Sequence, residues 1–264
     1  MSRTDKGLWM AVVIVGVLDL AVFMSHAKVP DTVPASTQPA RPLKPPATGK
    51  INVAFLISQD ADVMDIAGPW EVFNEAMLTT KGQAWHESDG DDMIMPFNVY
   101  TVSDSRQQVD ASGLTIVTNY SFDNAPKAQI IVVPAQGGRS PAQKAWLLAH
   151  SADADVTMSV CTGASMLAAY GLLDGQTATT HHAYLQSMQK KYPAVHFVSG
   201  TRFVENGKIA TAGGLTSGLD LALHIVARYY GSEVAQVTAN SLEYHSELWK
   251  NPEYDQVKPV VASK

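Results

Sequence analysis

Residues 155–165 read DVTMSVCTGAS: six residues of strand composition run straight into Cys161, and a stretch of helical composition follows from Ala164 to Leu173. A side chain held between a buried strand and the start of a helix sits on a tight turn at the carboxyl edge of a sheet. That is where open α/β folds bind their ligands. The helix start behind the turn offers N–H groups and partial positive charge, which favour thiolate over thiol and can hold a developing anion. Gly163 and Ala164 are small enough to let the helix begin close behind the sulfur. Cys161 is the single cysteine of 264 residues, so neither a disulfide framework nor a thiolate metal cluster can be built. A lone cysteine is ordinarily a small buried hydrophobe. Its place between strand and helix makes this one a candidate nucleophile.

The same alternation extends outward. Residues 51–58 (INVAFLIS) form a continuous apolar run of strand length, after which residues 68–73 (GPWEVF) open a helix. Residues 97–103 (FNVYTVS) and 129–134 (QIIVVP) are further strand candidates, the second apolar enough to be buried on both faces. Residues 208–212 (KIATA) lead through Gly213-Gly214 into residues 217–230, whose apolar side chains recur at helical spacing. Strands alternating with helices predict an α/β fold, a flavodoxin-like three-layer sandwich around a mostly parallel central sheet.

Composition is that of a chain able to bury a core, 46% hydrophobic and 17% charged. The net charge of −6 and the lack of a long basic run argue against a nucleic-acid partner. Ahead of the α/β region, residues 8–24 (LWMAVVIVGVLDLAVFM) are long enough for a membrane-spanning helix, and Arg3 and Lys6 precede them. They predict an N-terminal anchor at 1–27, with the domain outside the inner membrane on the periplasmic side. Ser25-His26-Ala27 offers the alternative of signal-peptide cleavage and secretion. Residues 28–50, rich in proline, read as an extended linker. A domain over 51–250 and a tail over 251–264 complete the division. The acidic residues 87–92 lack the ligand alternation of a calcium loop, and no metal site or organic cofactor is expected. His224, in an apolar helical stretch, reads as a partnered core histidine.

A nucleophile needs a group to handle its proton. His181 lies twenty residues beyond Cys161, after a helix and a turn at Asp174-Gly175, a spacing that could return it to the same edge or leave it in a loop. Asp62, Asp65 and Glu71 flank Gly68-Pro69, and one of these carboxylates could act as general acid or base. Gly137-Gly138 could aim backbone N–H groups at a ligand or simply make a turn.

The ordered segments VMDIAGPWEVF, VVPAQGG, VCTGA, ATTHH and GGLTSGLDLALHIV resemble the ThiJ/PfpI superfamily, the class I glutamine amidotransferase-like proteins. Within it they are most similar to isonitrile hydratase and to the amidotransferase-like domains of AraC-type regulators. The resemblance implies that Cys161 is the elbow nucleophile, Thr162 the residue after it, and Asp65 the acid that isonitrile hydratases require. It also implies roles near the nucleophile for Glu71, in the G-P-x-E position, and for His181. Gly68, Trp70, Gly137 and Gly138 become substrate-binding candidates, although PAQGG departs from the usual P-G-G.

The implied activity is a hydro-lyase that hydrates a small isonitrile to an N-substituted formamide. Cys161 attacks the terminal carbon, and Asp65 protonates and later activates water. An amidase- or glyoxalase-type hydrolase, or a redox-sensing binding module with an exposed low-pKa thiol, are the alternatives. A homodimer is expected by the same resemblance. A DNA-binding regulator is not, because the sequence ends at Lys264 without a helix-turn-helix region.

Overall fold

The apolar runs become the inner strands of one sheet. In a computed structural model, which describes residues 41–104 and 108–262, the chain begins with β1 (Ile51–Leu56), α1 (Val63–Glu75), β2 (Phe97–Ser103), β3 (Gln108–Ala111) and β4 (Leu114–Val117). It continues through β5 (Tyr120–Ser121), β6 (Ile130–Val133), α2 (Pro141–Asp153), β7 (Val156–Ser159), α3 (Ala164–Ala169), β8 (Thr177–Ala178) and α4 (Leu185–Lys191). The last elements are β9 (His196–Thr201), β10 (Phe203–Asn206), β11 (Ile209–Ala212), α5 (Ser217–Tyr230), α6 (Ser232–Ser241) and β12 (Glu253–Pro259).

Seven strands form the central sheet in the order β10-β11-β7-β6-β1-β2-β5, parallel throughout except for the hairpin β10–β11. Side chains alternate across a strand, so β1 feeds two cores. Ile51, Val53 and Phe55 pack with α1, α5 and α6, while Ala54 and Leu56 pack with α2, α3 and α4. Both faces of the sheet are therefore covered. The chain leaves β1 for β2 on one side and returns to β6 on the other, which puts a topological switch point beyond the carboxyl ends of β1 and β6. The loops leaving those strands meet there.

Three expectations change. The helix after β1 starts at Val63 rather than at Gly68, because Asp62 caps it, its Oδ1 accepting the Met64 N–H at 3.0 Å. Gly68-Pro69 then falls inside the helix. Pro69 has no N–H to give the Asp65 carbonyl four residues back, but packing fixes the helix there. A Cβ on Gly68 would lie 3.3 Å from Leu219 Cγ, and one on Gly218 would lie 3.1 Å from Pro69 Cγ.

The second change concerns the segment 251–264 set apart as a tail. It contains β12, which pairs antiparallel with β9. The third concerns the membrane. Among the described residues no helix is long and apolar enough to cross a bilayer, and residues 8–24 lie outside the described residues. The expectation of an N-terminal membrane helix, with inner-membrane anchoring and a periplasmic domain, is therefore corrected: the described residues supply no spanning element on which to rest it.

Candidate active site around Cys161

Strand β7 ends at Ser159, and the chain turns through a short 3-10 segment, Cys161–Gly163, into α3. Cys161 has φ 56°, left-handed backbone that costs a non-glycine residue on the order of 1–3 kcal/mol. The turn is held from several sides. Cys161 N–H donates to the Gly213 carbonyl at 2.8 Å, and Thr180 Oγ1 donates to the Cys161 carbonyl at 2.8 Å. Gly163 lies against the end of β6, where an added Cβ would sit 2.2 Å from the Val133 carbonyl oxygen. Only glycine fits at that point, which is what lets α3 begin directly behind the sulfur.

Asp65, on the first turn of α1, reaches the same place. It is fully buried, its Oδ2 accepts the Ala135 N–H at 2.9 Å, and its Oδ1 has no hydrogen-bond partner among the described residues. Burial pushes its carboxyl up to about 7; the Ala135 N–H works against that shift and the charge of Asp62 adds to it. Burial also pushes the Cys161 thiol up to about 11, with the Asp65 carboxylate as the next cause. The backbone N–H groups of Thr162 and Leu215 act in the opposite direction, stabilising the thiolate. Cys161 is 7% exposed. Burial thus favours a neutral Cys161 thiol at neutral pH, in place of the exposed low-pKa thiolate expected from the helix start. Low dielectric and a neighbouring carboxylate outweigh the dipole of a six-residue helix.

The other candidates separate. Glu71 is exposed on α1, six residues and roughly 240° of helix rotation beyond Asp65. The carboxylates that bear on Cys161 are Asp65 and Asp62. Gly68 is buried against Leu219, and Trp70 packs on Phe55 with ring centroids 5.2 Å apart, so both serve helix packing. Gly137 and Gly138 turn their N–H groups onto the Gln59 carbonyl at 2.9 and 3.4 Å, and so join two loops instead of facing the sulfur.

His181 packs on Gly214, where a Cβ would lie 2.4 Å from its Cδ2. It therefore sits one residue from Leu215. Its Nδ1 accepts the Ala183 N–H at 3.2 Å, which leaves the ring proton on Nε2 in the neutral ring. His224 is partnered, its Nε2 2.9 Å from Glu205 Oε2.

Leu215 is a candidate group that the motifs did not single out. It has φ 46° and presents its backbone N–H to the sulfur. The signal was there in Gly213-Gly214 after a strand, the same pattern that drew attention to Gly137-Gly138. Beside this turn lies a cavity of about 430 Å³, whose walls include Thr180, His181 and Gly213 to Ser217.

Isonitrile hydratase of Pseudomonas putida is 27% identical over 200 residues, spanning 74% of this chain and 78% of that protein. The HTH-type transcriptional regulator GbdR of Pseudomonas aeruginosa is 30% identical over 145 residues, but the match spans only 39% of its length. Among solved structures, a THiJ/PfpI family protein from Pseudomonas syringae superposes with a TM-score of 0.62 at 25% identity, covering 85% of this chain and 84% of that one. The DJ-1/PfpI family model matches residues 51–228, which contain the strand, elbow and acid just described. With its elbow cysteine, buried α1 carboxylate and parallel sheet, the chain belongs to the DJ-1/PfpI family.

Proposed function

We propose that the chain is a cysteine-dependent hydro-lyase of the isonitrile hydratase type, converting R–N≡C and water to R–NH–CHO. The observation that carries this reading is Asp65: a carboxyl that burial pushes up to about 7, with one oxygen unpartnered among the described residues, beside a thiol that burial also pushes up. An isonitrile carbon must gain both a nucleophile and a proton. This pair can supply both.

The Asp65 carboxylate takes the Cys161 proton as the sulfur bonds to the terminal carbon, then delivers it to that carbon's lone pair. One C–N π pair moves to nitrogen, giving the thioimidate S–CH=N–R. Asp65, again a carboxylate, removes a proton from the attacking water and passes it to nitrogen. The C–S bond then breaks, the hydroxyl proton returns to sulfur through Asp65, and the formamide leaves. The N–H groups of Thr162 and Leu215 hold negative charge on sulfur during attack and departure. The burial of Cys161, 7% exposed, with a thiol that burial pushes up, favours this reading over the redox-sensing alternative, which asks for an exposed, low-pKa thiol.

The test is to incubate the purified full chain, and its Cys161→Ala variant, with cyclohexyl isocyanide and follow N-cyclohexylformamide by chromatography. Formation of the formamide by the wild type alone is the expected result. No Cys161-dependent product would falsify the assignment.

A further inference from the structure

The cavity of about 430 Å³ beside the elbow shares a wall with the nucleophile. Leu215 presents its N–H to the sulfur and also lines the cavity, Gly213 accepts the Cys161 N–H, and Thr180 bonds the Cys161 carbonyl. The lining contains Arg202, His181 and His182, and no aspartate or glutamate among the described residues. Arg202 is held in a fixed orientation. Its Nε donates to the buried Asp220 at 2.6 Å, and its Nη2 donates to Thr216 at 3.0 Å and to Tyr244 at 3.4 Å. No protein acceptor takes its Nη1 among the described residues.

Ser217, on the first turn of α5, also lines the cavity. It is 3% exposed, so its hydroxyl is enclosed with the cavity wall. His181 adds a ring N–H on Nε2 when neutral. The polar part of the lining therefore offers hydrogen-bond donors and contains no carboxylate among the described residues; Asp220, which pairs with Arg202 through Nε, is not part of the lining and leaves Nη1 to receive an oxyanion. Leu248 and Tyr254, the latter on β12, also line the cavity. Both lie beyond residues 51–228, the part matched by the family as a whole.

We infer that this cavity receives a carboxylate on the non-reacting part of the substrate, so that the favoured substrates are small isocyano acids, with Arg202 as the anchor and Tyr254 as a further wall. The inference rests on the proposed isonitrile chemistry for its reaction, but the carboxylate site can be tested apart from turnover.

Two measurements separate the ideas. The first compares kcat/KM for isocyanoacetate and for its uncharged methyl ester, in the wild type and in Arg202→Lys, which keeps the charge facing Asp220 but loses the planar fork. The wild type is expected to favour the acid by about tenfold or more, and Arg202→Lys to reduce that ratio several-fold. A ratio is indifferent to the fraction of variant that folds. The second measures binding of N-formylglycine and N-formylglycinamide to Cys161→Ala by calorimetry. The acid should bind more tightly, and Tyr254→Ala, a change on an exposed side chain, should weaken it.

Equal use of acid and ester, or equal binding of acid and amide, overturns the inference while leaving the hydratase reading in place. No turnover of any isonitrile, together with N-formylglycine binding that Arg202→Lys weakens, overturns the hydratase reading and supports the carboxylate site.

Discussion

Two Gly-Gly turns close the carboxyl edge of the sheet, one after β6 at Gly137-Gly138 and one after β11 at Gly213-Gly214. In sequence they look alike, and both could bring backbone N–H groups to a ligand. In the structure their work differs. The first turn fastens loops: its two glycine N–H groups meet Gln59, the Gln136 side chain bonds Ser58 Oγ and Leu56, and Ala135 holds the acid Asp65. The second turn meets Cys161 directly, through the Gly213 carbonyl and the Leu215 N–H. A glycine pair reports that backbones approach closely. What each N–H points at is decided by the neighbouring strand, and for the second turn that strand is β7, which carries the elbow.

The largest effect on activity is expected where the first turn grips the acid. Asp65→Asn keeps an acceptor for the Ala135 N–H but cannot carry a proton, and kcat/KM should fall about 10²- to 10⁴-fold. In the wild type kcat/KM should rise with pH through about 7, as Asp65 becomes the carboxylate that takes the thiol proton. The variant should lose that limb. The same substitution should alter stability with a definite sign.

Asp65 holds its proton to about 7 when folded, against 3.8 when unfolded. Folding therefore takes up a proton between those values, and stability falls as pH rises through that window. The full cost, at most about 4 kcal/mol for three pKa units, is present above pH 7. Thermal unfolding should accordingly show Asp65→Asn gaining on the wild type between pH 4 and pH 8. A constant difference across that range would mean that the carboxyl titrates normally.

Next in size is an exchange across the two turns. In Gly214→Ala the new Cβ meets the His181 ring, which must move away from the Leu215 turn and the adjoining cavity. Activity should drop about tenfold with a small change in Tm, since a partly exposed ring can swing. In Gly138→Ala the Cβ would lie 2.9 Å from both Cβ and Oγ of Ser58. Stability should fall by about 1–3 kcal/mol with the rate of the folded fraction kept. If the two variants behaved alike, the division of labour between the turns would be wrong.

Much of this was legible beforehand because it is local. A strand, a cysteine and then small residues specify an elbow whatever surrounds them, and unbroken apolar runs specify parallel strands buried on both faces. Asp65 was readable as a candidate, although its unpartnered oxygen was not, since burial on α1 depends on how the loop after β6 folds back over it. The thiol was misjudged for a related reason. The dipole of a helix start can be read from sequence, whereas the desolvation and the neighbouring charge that overcome it come from residues ninety-six positions away. Tyr254 was illegible altogether, because a seven-residue stretch with mixed polarity becomes strand only by pairing with β9.

The smallest expected effect falls on Glu71, and it sharpens the contrast from outside both turns. Asp65 and Glu71 share α1, and both were candidates for the proton-handling group. Six residues place them on different faces of the helix, so one is enclosed by the turn after β6 and the other faces solvent. An exposed carboxylate is screened by water and salt, and its influence on a buried sulfur is correspondingly weak. Glu71→Gln should leave kcat/KM within about twofold, the acid limb near pH 7 in place, and stability within about 0.5 kcal/mol. A large loss of activity at constant stability would place Glu71 at the substrate and move the proton path off Asp65.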